Sequence, residues 1–297
     1  MKYISVAETA KRWGVSERSV RGYCAEGKID GAFLTGKTWN IPETAEKPDR
    51  INKKTDAPKT LLEVLKAEKA AKLHGGIYHK IQIDLTYNSN HIEGSRLTHD
   101  QTRLIFETNT VDVGEGIPVD DIIETVNHFR AIDYVIDHAE EPLTEDIIKE
   151  LHRILKQSTK DSTLSWFAVG DYKKRANVVG GRETAKPKDV PARMKALLSD
   201  YESLDAVSIE NVIEFHYNFE RIHPFQDGNG RVGRLLLFKE CLRNSIVPFI
   251  IEDDIKMFYY RGLKEWQNER GYLRDTCLAA QDRFKKYLDY FRVPYDK

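Results

Sequence analysis

The sequence predicts a mainly α-helical protein with one short β-hairpin in its main domain and a small winged helix-turn-helix domain at its N-terminus. Apolar residues recur at helical spacing through most of the chain, as in residues 208–222 and 120–139. Residues 167–191 interrupt this pattern with glycines and β-branched residues, which favour a hairpin. Two short helix patterns joined by Gly14-Val15-Ser16 open the chain. The length of 297 residues suggests two domains, or one domain with a small appendage.

Composition narrows the class of protein. The formal net charge is −1, so no global basic field marks a nucleic-acid protein, and any such role must be local. The three cysteines are far apart and lack zinc-site spacing, which fits a reducing cytoplasm. The sequence shows neither a signal peptide nor an apolar run long enough to cross a bilayer. We therefore expect a cytoplasmic protein with no membrane partner.

These patterns divide the chain into segments. Residues 43–59 hold two prolines, many charges and almost nothing apolar, which is typical of a linker. The expected segments are a helix-turn-helix domain (1–45), a linker (46–59), an N-terminal helical region (60–118), a catalytic core (119–250) and C-terminal helices (251–297).

The N-terminal domain is defined by its helix boundaries. Ser5 and Glu8 form a capping box that begins one helix, and Gly27 ends the second. A hairpin turning at residues 35–37 would form a wing. The segment resembles the winged helix-turn-helix of excisionase and MerR-type proteins, which implies DNA binding through residues 1–45. The second helix would present Arg18, Ser19 and Arg21. A helical protein-docking module is the alternative, because the local charge is modest.

One phosphate-loop match is a coincidence. Residues 31–38 fit the pattern G-x-x-x-x-G-K-[ST]. A phosphate loop needs a buried strand before it and a helix after it, whereas an extended segment ended by Pro42 follows here. We assign these residues to the wing.

The main chemical motif is residues 223–234, His-Pro-Phe-Gln-Asp-Gly-Asn-Gly-Arg-Val-Gly-Arg. Pro224 ends the preceding helix, and a new helix is predicted from Asn229 onward. Free N–H groups and the positive dipole end at such a helix start favour an anion such as phosphate. Arg231 and Arg234 add two cations on one helix face, and Asp227 is a hard oxygen ligand suited to Mg²⁺. His223 can accept a proton near neutral pH. The motif predicts a nucleotide polyphosphate site with a metal and a base.

This stretch is similar to the signature of the Fic family, His-Pro-Phe-x-Asp/Glu-Gly-Asn-Gly-Arg-x-x-Arg, at every specified position. The resemblance implies transfer of AMP from ATP to a Ser, Thr or Tyr hydroxyl of a target protein, with Mg²⁺, on an all-α core with a hairpin flap. It implies a role for each signature residue: His223 takes the hydroxyl proton, Asp227 holds Mg²⁺, Gly228, Asn229 and Gly230 cradle the phosphates, and Arg231 and Arg234 neutralise the leaving pyrophosphate.

A second motif precedes the signature. Residues 89–94, Ser-Asn-His-Ile-Glu-Gly, resemble the inhibitory motif of Fic proteins with an N-terminal inhibitory helix. Ser89 and Glu93 are spaced to share one helix face. The resemblance implies that Glu93 pairs with Arg234, and an arginine held by a carboxylate is not free for a γ-phosphate.

Other residues receive structural interpretations or modest functional ones. Residues 167–191 resemble the family's flap, which would position the target side chain. Tyr259 and Tyr260 occur where family members often contact the base, although aromatic residues at helical spacing are usually core. We interpret His216 as packing.

Two other activities compete with AMP transfer. Glu93 could instead activate a water that removes AMP from a modified protein, or the chain could be a DNA-binding regulator that senses nucleotide. The expected partners are a target protein, which includes the chain itself, DNA and a second copy of the chain.

Overall fold

The structure is a computed structural model that describes residues 2–48, 60–112 and 116–295. It contains two compact units, residues 1–57 and 58–297. Most of the linker predicted at 46–59 lies outside the described residues. No helix of the described residues is long and apolar enough to cross a membrane.

The first unit packs two helices against a small antiparallel sheet. The expected capping box is present at Ser5, and Gly14 ends the first helix in the left-handed conformation (φ 65°) that glycine adopts without strain. The predicted hairpin is present as β2 (Phe33–Thr35) and β3 (Thr38–Pro42). A strand that we did not predict, β1 (Tyr3–Ile4), pairs with β3, so the sheet order is β1-β3-β2. The elements are β1 (Tyr3–Ile4), α1 (Val6–Trp13), α2 (Glu17–Ala25), β2 (Phe33–Thr35) and β3 (Thr38–Pro42).

The hairpin shows that residues 31–38 do not form a phosphate loop. Gly36 lies in the turn between β2 and β3 with φ 62°, and β3, not a helix, follows it. No helix N-terminus stands at this turn, so the backbone lacks the device that binds phosphate in a true phosphate loop.

The second unit is helical apart from one short hairpin, as the sequence predicts. Its helices are α3 (Leu61–Ala71), α4 (Ile77–Ile92), α5 (His99–Thr108), α6 (Val119–Asp137), α7 (Glu145–Lys156), α8 (Val190–Glu202), α9 (Ile209–Ile222), α10 (Asn229–Arg243), α11 (Lys256–Glu265) and α12 (Gly271–Phe291). The hairpin consists of β4 (Val178–Val179) and β5 (Arg182–Glu183). The C-terminal segment is helical, as expected, and a 3₁₀ turn at Asp253–Ile255 precedes α11.

Helix α10 is the centre of this unit. Residues 231–242 are all buried, which is typical of a helix that neighbours surround on every side. It packs against α9, α6, α7 and α4. The N-terminus of α10 is therefore held in place by four helices, and the geometry of the loop before it depends on this support. Burial of α10 thus fixes the position of the signature residues.

Candidate active site

The signature begins where α9 ends. His223 is the C-terminal cap of α9 in the left-handed conformation (φ 52°, ψ 62°), and its N–H donates to the Phe219 carbonyl at 2.9 Å. This conformation costs a non-glycine residue roughly 1–2 kcal/mol. Such strain is concentrated at functional sites, where the surrounding structure enforces it. Here it ends α9 at His223 and redirects the chain into the loop that follows.

The loop from His223 to Gly228, the signature loop, is locked by Asn229. The Asn229 side chain accepts from the Phe225 N–H at 2.8 Å and donates to the Phe225 carbonyl at 2.9 Å. Asn229 is almost fully buried. Its amide group is thus engaged in shaping the loop, and any phosphate contact from this residue falls to its backbone.

Replacement of Asn229 by alanine is expected to destabilise the protein by about 2 kcal/mol, because two buried backbone groups of Phe225 lose their partners. The measurement is the shift of the urea midpoint at unchanged slope. Asn268→Ala is the control, since its amide bonds to Glu265 at an exposed site, and it should change stability by less than about 0.5 kcal/mol. Equal midpoints for the two variants would show that the Asn229 clamp contributes nothing.

The N-terminus of α10 is shaped to receive an anion. Gly228 caps it with φ 79°, and as glycine it has no side chain that could accept from the first N–H groups of the helix. Those groups and the helix dipole attract negative charge. A Cβ on Gly230 would lie 2.2 Å from Oε1 of Glu93. Only glycine at position 230 therefore lets the Glu93 carboxylate approach this helix turn so closely.

The expected pairing of Glu93 with Arg234 is present. Arg234 donates to Oε1 of Glu93 at 2.7 Å, to the Ser89 hydroxyl at 3.0 Å and to the Ser89 carbonyl at 2.9 Å. The Arg234 side chain is only 4% exposed and that of Glu93 is 32% exposed. The carboxylate and the last turn of α4 together occupy the binding groups of Arg234.

A second charged cluster surrounds Asp227, and two of its members were not found from the sequence. Lys156 of α7 donates to Asp227 at 2.7 Å and to Glu124 of α6 at 2.5 Å. Arg231 contacts both carboxylates, with Glu124 the closer. Burial alone would raise the pKa of Asp227, but Arg231 and Lys156 hold it well below its usual range. Asp227 is therefore ionised, and half of its side chain is exposed.

His152 of α7 packs against the signature loop. Its ring stacks on Phe225 with centroids 4.0 Å apart. Nδ1 accepts from the Gly170 N–H at 2.9 Å, so the ring proton is on Nε2, which donates to the Asp227 carbonyl at 3.2 Å. Burial lowers the pKa of His152 to about 3, which keeps the ring neutral in this arrangement. His152 is a structural support that no local sequence pattern identifies.

The surroundings of His223 keep its imidazole neutral. Burial and the nearby Lys173 ammonium lower its pKa to about 4, although the Glu220 backbone and the Glu93 and Asp227 carboxylates oppose them. Burial also raises the pKa of Glu220 to about 8, so this carboxyl, 3.8 Å from Nδ1 of His223, is largely protonated at neutral pH. An uncharged imidazole can accept a proton without prior deprotonation.

This pKa gives a testable pH dependence. Protonation inactivates a base, so the rate falls as the pH falls through the folded-state pKa. We expect kcat/KM of an active variant to stay level down to about pH 5 and to fall near pH 4, since kcat/KM reports the free enzyme. The measurement is a pH profile of AMP transfer at constant ionic strength. A fall centred near 6.5, the ordinary value for histidine, would show that His223 is not held neutral by its surroundings.

Residues 167–191, the flap, are tied to the signature loop. The Lys173 N–H donates to the Pro224 carbonyl at 2.8 Å, and the Ala185 N–H donates to the Ile222 carbonyl at 3.3 Å. The buried Lys173 ammonium donates to the Asn177 and Thr184 side chains. The flap ends are thus fixed beside His223, while the residues of β4 and β5 are exposed.

Three aromatic or histidine positions singled out in the sequence have different surroundings. His216 is fully buried and hydrogen-bonds the Tyr259 hydroxyl at 2.7 Å, so both belong to the core. Tyr260 is 42% exposed, and its hydroxyl donates to the Ile92 carbonyl at the end of α4. Of the two tyrosines, only Tyr260 is accessible to a ligand.

Comparisons with known proteins identify a family domain in the part of the chain that contains the signature. The profile of the Fic/DOC family matches residues 142–240, which include the whole signature. A protein adenylyltransferase Fic of Nematostella vectensis is 29% identical over 209 residues, which are 68% of this chain and 48% of the relative. One from Drosophila willistoni is 32% identical over 212 residues, or 69% of this chain and 40% of the relative. The chain thus spans about half the length, or less, of these curated relatives.

Solved structures share the fold. A Fic domain containing signaling protein from Bacteroides thetaiotaomicron aligns with a TM-score of 0.57 and 28% identity, covering 77% of this chain and 90% of that one. Fic-1 from C. elegans aligns with a TM-score of 0.59 at 22% identity, covering 78% of this chain and 72% of that one, and this likeness concerns the fold alone. The chain therefore carries a Fic domain within a mainly helical unit.

Proposed function

We propose that this chain is a protein adenylyltransferase that moves AMP from ATP to a hydroxyl side chain of a target protein, and that Glu93 holds it inactive. One observation carries the proposal. The Glu93 carboxylate fills the anion position over Gly230 and binds Arg234, where an ATP γ-phosphate would otherwise be held. The resemblance to named adenylyltransferases supports it. The helix α4 that carries Glu93 is then the inhibitory helix.

The reaction assigned to this site balances with the residues present. The hydroxyl oxygen of the target bonds to the α-phosphorus of ATP, the bond from that phosphorus to the pyrophosphate oxygen breaks, and the hydroxyl proton goes to the imidazole of His223. Arg234 and Arg231 stabilise the charge that develops on the leaving pyrophosphate. The N–H groups of the first turn of α10 hold the phosphates.

Asp227 fits a Mg²⁺ site that ATP completes. Among the described residues, no group of three or more His, Cys, Asp or Glu side chains could hold a metal ion. Mg²⁺ is commonly bound by one or two carboxylates together with substrate phosphates. The ionised, half-exposed Asp227 supplies that one carboxylate, next to the anion position. The ion would neutralise phosphate charge, and Lys156 balances Asp227 in its absence.

A surface depression beside the end of α4 suits the adenine base. It has a volume of about 470 Å³ and is lined by Met257, Tyr260 and Tyr272, together with the stems of charged residues. Aromatic faces and a thioether stack on a planar base without need of a matching charge. Since Tyr260 also bonds to the Ile92 carbonyl, this depression adjoins Glu93.

The position of the label identifies the transferred group. A Glu93→Gly variant would be incubated with Mg²⁺ and ATP labelled at either the α- or the γ-phosphate, and protein-bound label would be measured. We expect label from α-labelled ATP only, on the chain itself and on acceptor proteins. Label from γ-labelled ATP would identify phosphate transfer and overturn the proposal. Label on neither would reject group transfer to protein altogether.

Removal of AMP is a second candidate reaction at the same site. One oxygen of Glu93 faces Arg234, while the side chain is still 32% exposed, so the carboxylate could orient a water. In that case wild type, but not Glu93→Gly, would release AMP from protein that the Glu93→Gly variant has labelled. We favour transfer, because Glu93 as placed competes with the γ-phosphate of ATP.

We further propose that the N-terminal unit binds DNA through α2, in the cytoplasm, where buried unpaired cysteines suit a reducing environment. Arg18 is exposed on the first turns of α2 and forms no ion pair among the described residues, whereas Arg21 pairs with Glu17 at 3.0 Å. The test is binding of the full chain to duplex DNA at several salt concentrations. Arg18→Ala should weaken binding and reduce the salt slope by about 1, if it contacts phosphate. Binding that is absent at low salt would favour a protein-docking module.

A further inference from the structure

A charged cavity lies between the flap and the start of α8. Its volume is about 420 Å³, and it opens to solvent. Four cationic and two acidic side chains line it, so its net formal charge is +2. The lining residues are Glu183, Thr184, Ala185, Lys186, Lys188, Asp189, Arg193 and Arg221.

The cationic side chains that line this cavity are not neutralised by ion pairs within the described residues. Within the part of the chain that the structure describes, Lys186, Lys188 and Arg193 form no ion pair, and all three are exposed. Arg221 donates to the Tyr217 hydroxyl at 3.3 Å and lies over its ring, and it forms no ion pair with any described residue. Unpaired cations that converge on one concave surface attract an anionic group more strongly than scattered ones do, because the wall focuses their field.

A backbone hydrogen bond connects the wall of the cavity to the residue that precedes His223. Its inner wall includes Ala185, whose N–H donates to the Ile222 carbonyl, and Ile222 directly precedes His223. Thr184 on the same wall is bonded to Lys173 and Asn177 at the base of the flap. A polypeptide lying along the exposed edge of β5 toward His223 would therefore pass this cavity.

We propose that this cavity is a specificity subsite that binds an Asp or Glu side chain of the target polypeptide near the modified hydroxyl. This inference rests on the proposed adenylyl transfer and adds a substrate class to it. Lys186, Arg193 and Arg221 recognise the carboxylate, and an arginine can bind it through two parallel hydrogen bonds. Glu183 and Asp189, which also line the cavity, disfavour a second acidic residue there.

Peptide acceptors test the proposal. The Glu93→Gly full-length chain would be given α-labelled ATP and three peptides that share a central hydroxyl residue and differ in their flanks, which carry Glu, Ala or Lys. We expect kcat/KM about tenfold higher for the Glu-flanked than for the Ala-flanked peptide at low salt, carried by KM, since a partly exposed charged contact contributes about 1.4 kcal/mol or less. The preference should shrink as salt screens the charges.

Charge reversal provides the decisive comparison. Arg193→Glu lowers the net formal charge of the cavity from +2 to 0, so it should abolish the preference for the Glu-flanked peptide. Arg193→Glu combined with Lys186→Glu brings the net charge to −2 and should reverse the preference in favour of the Lys-flanked peptide, a result that mere structural damage cannot give. Lys195→Glu is the matched control, since Lys195 is exposed on the same helix but does not line the cavity, and it should keep the preference for Glu. An unchanged order of peptides in Arg193→Glu, or no order in the parent, would overturn the subsite. Self-labelling of the parent without peptide separates this failure from failure of the transferase, which would abolish self-labelling too.

Discussion

Replacement of Glu93 by glycine is expected to raise the rate of adenylyl transfer about 10–100-fold. The change removes a charge-assisted bond to buried Arg234, of a kind worth roughly 1.5–3 kcal/mol, and each 1.4 kcal/mol is a factor of ten. It also clears the anion position over Gly230. The fold loses that bond too, but Glu93 is the C-terminal cap of α4 and Arg234 keeps its Ser89 hydroxyl and carbonyl partners, so we expect a variant that is less stable yet folded. The measurement is the initial rate of protein labelling from α-labelled ATP.

Two further variants separate charge from shape. Glu93→Gln keeps the length of the side chain and loses its negative charge, so it should activate less than glycine does. Glu140→Gly is the control, since Glu140 is exposed and, among the described residues, forms its one ion pair with Lys66 at the surface. Labelling at the wild-type rate in Glu93→Gly, with ATP still bound, would contradict the inhibitory role of Glu93.

Replacement of His223 by alanine in the Glu93→Gly background is expected to lower AMP transfer by about 10²–10⁴-fold, the range for loss of a positioned general base. The fold should survive, because the imidazole is not part of the Asn229 clamp that shapes the loop. Binding of ATP should remain, since the anion position is built from α10 and the arginines.

The control for this loss is His74→Ala, an exposed histidine before α4 that lies outside the signature. Its transfer rate should match that of the Glu93→Gly parent. A rate within tenfold of the parent in the His223 variant would contradict the role of His223 as the base. Another group, or the solvent, would then accept the hydroxyl proton.

The parts of the site that the sequence identifies are those that are contiguous or regularly spaced. His223, Asp227 and the two arginines stand in one short stretch, and Ser89 and Glu93 stand one helical turn apart. Capping residues fix where the helices around these segments begin. One example is Ser208, whose capping box begins α9, the helix that ends at His223. The pairing of Glu93 with Arg234 followed from the family resemblance, and the structure shows it.

The residues that were missed come from distant helices. Lys156 of α7 meets Asp227, and Glu124 of α6 meets Lys156 and Arg231, only because both helices pack on α10. A lysine at the end of an amphipathic helix is normally solvated, and nothing in its local sequence shows that it is 3% exposed here. Sequence reasoning also gave Asn229 a phosphate role, whereas its side chain is engaged with Phe225. Such long-range contacts depend on packing, which has no local signature.

The central claim is that an intact adenylyl-transfer site is held inactive by Glu93. It is tested most directly by comparing wild type, Glu93→Gly and Glu93→Gly combined with His223→Ala in one labelling experiment with Mg²⁺ and α-labelled ATP. We expect faint labelling of wild type, strong self-labelling of Glu93→Gly and none of the double variant. Absence of label on Glu93→Gly, with ATP binding retained, would contradict the claim and favour removal of AMP or nucleotide sensing by a DNA-binding regulator.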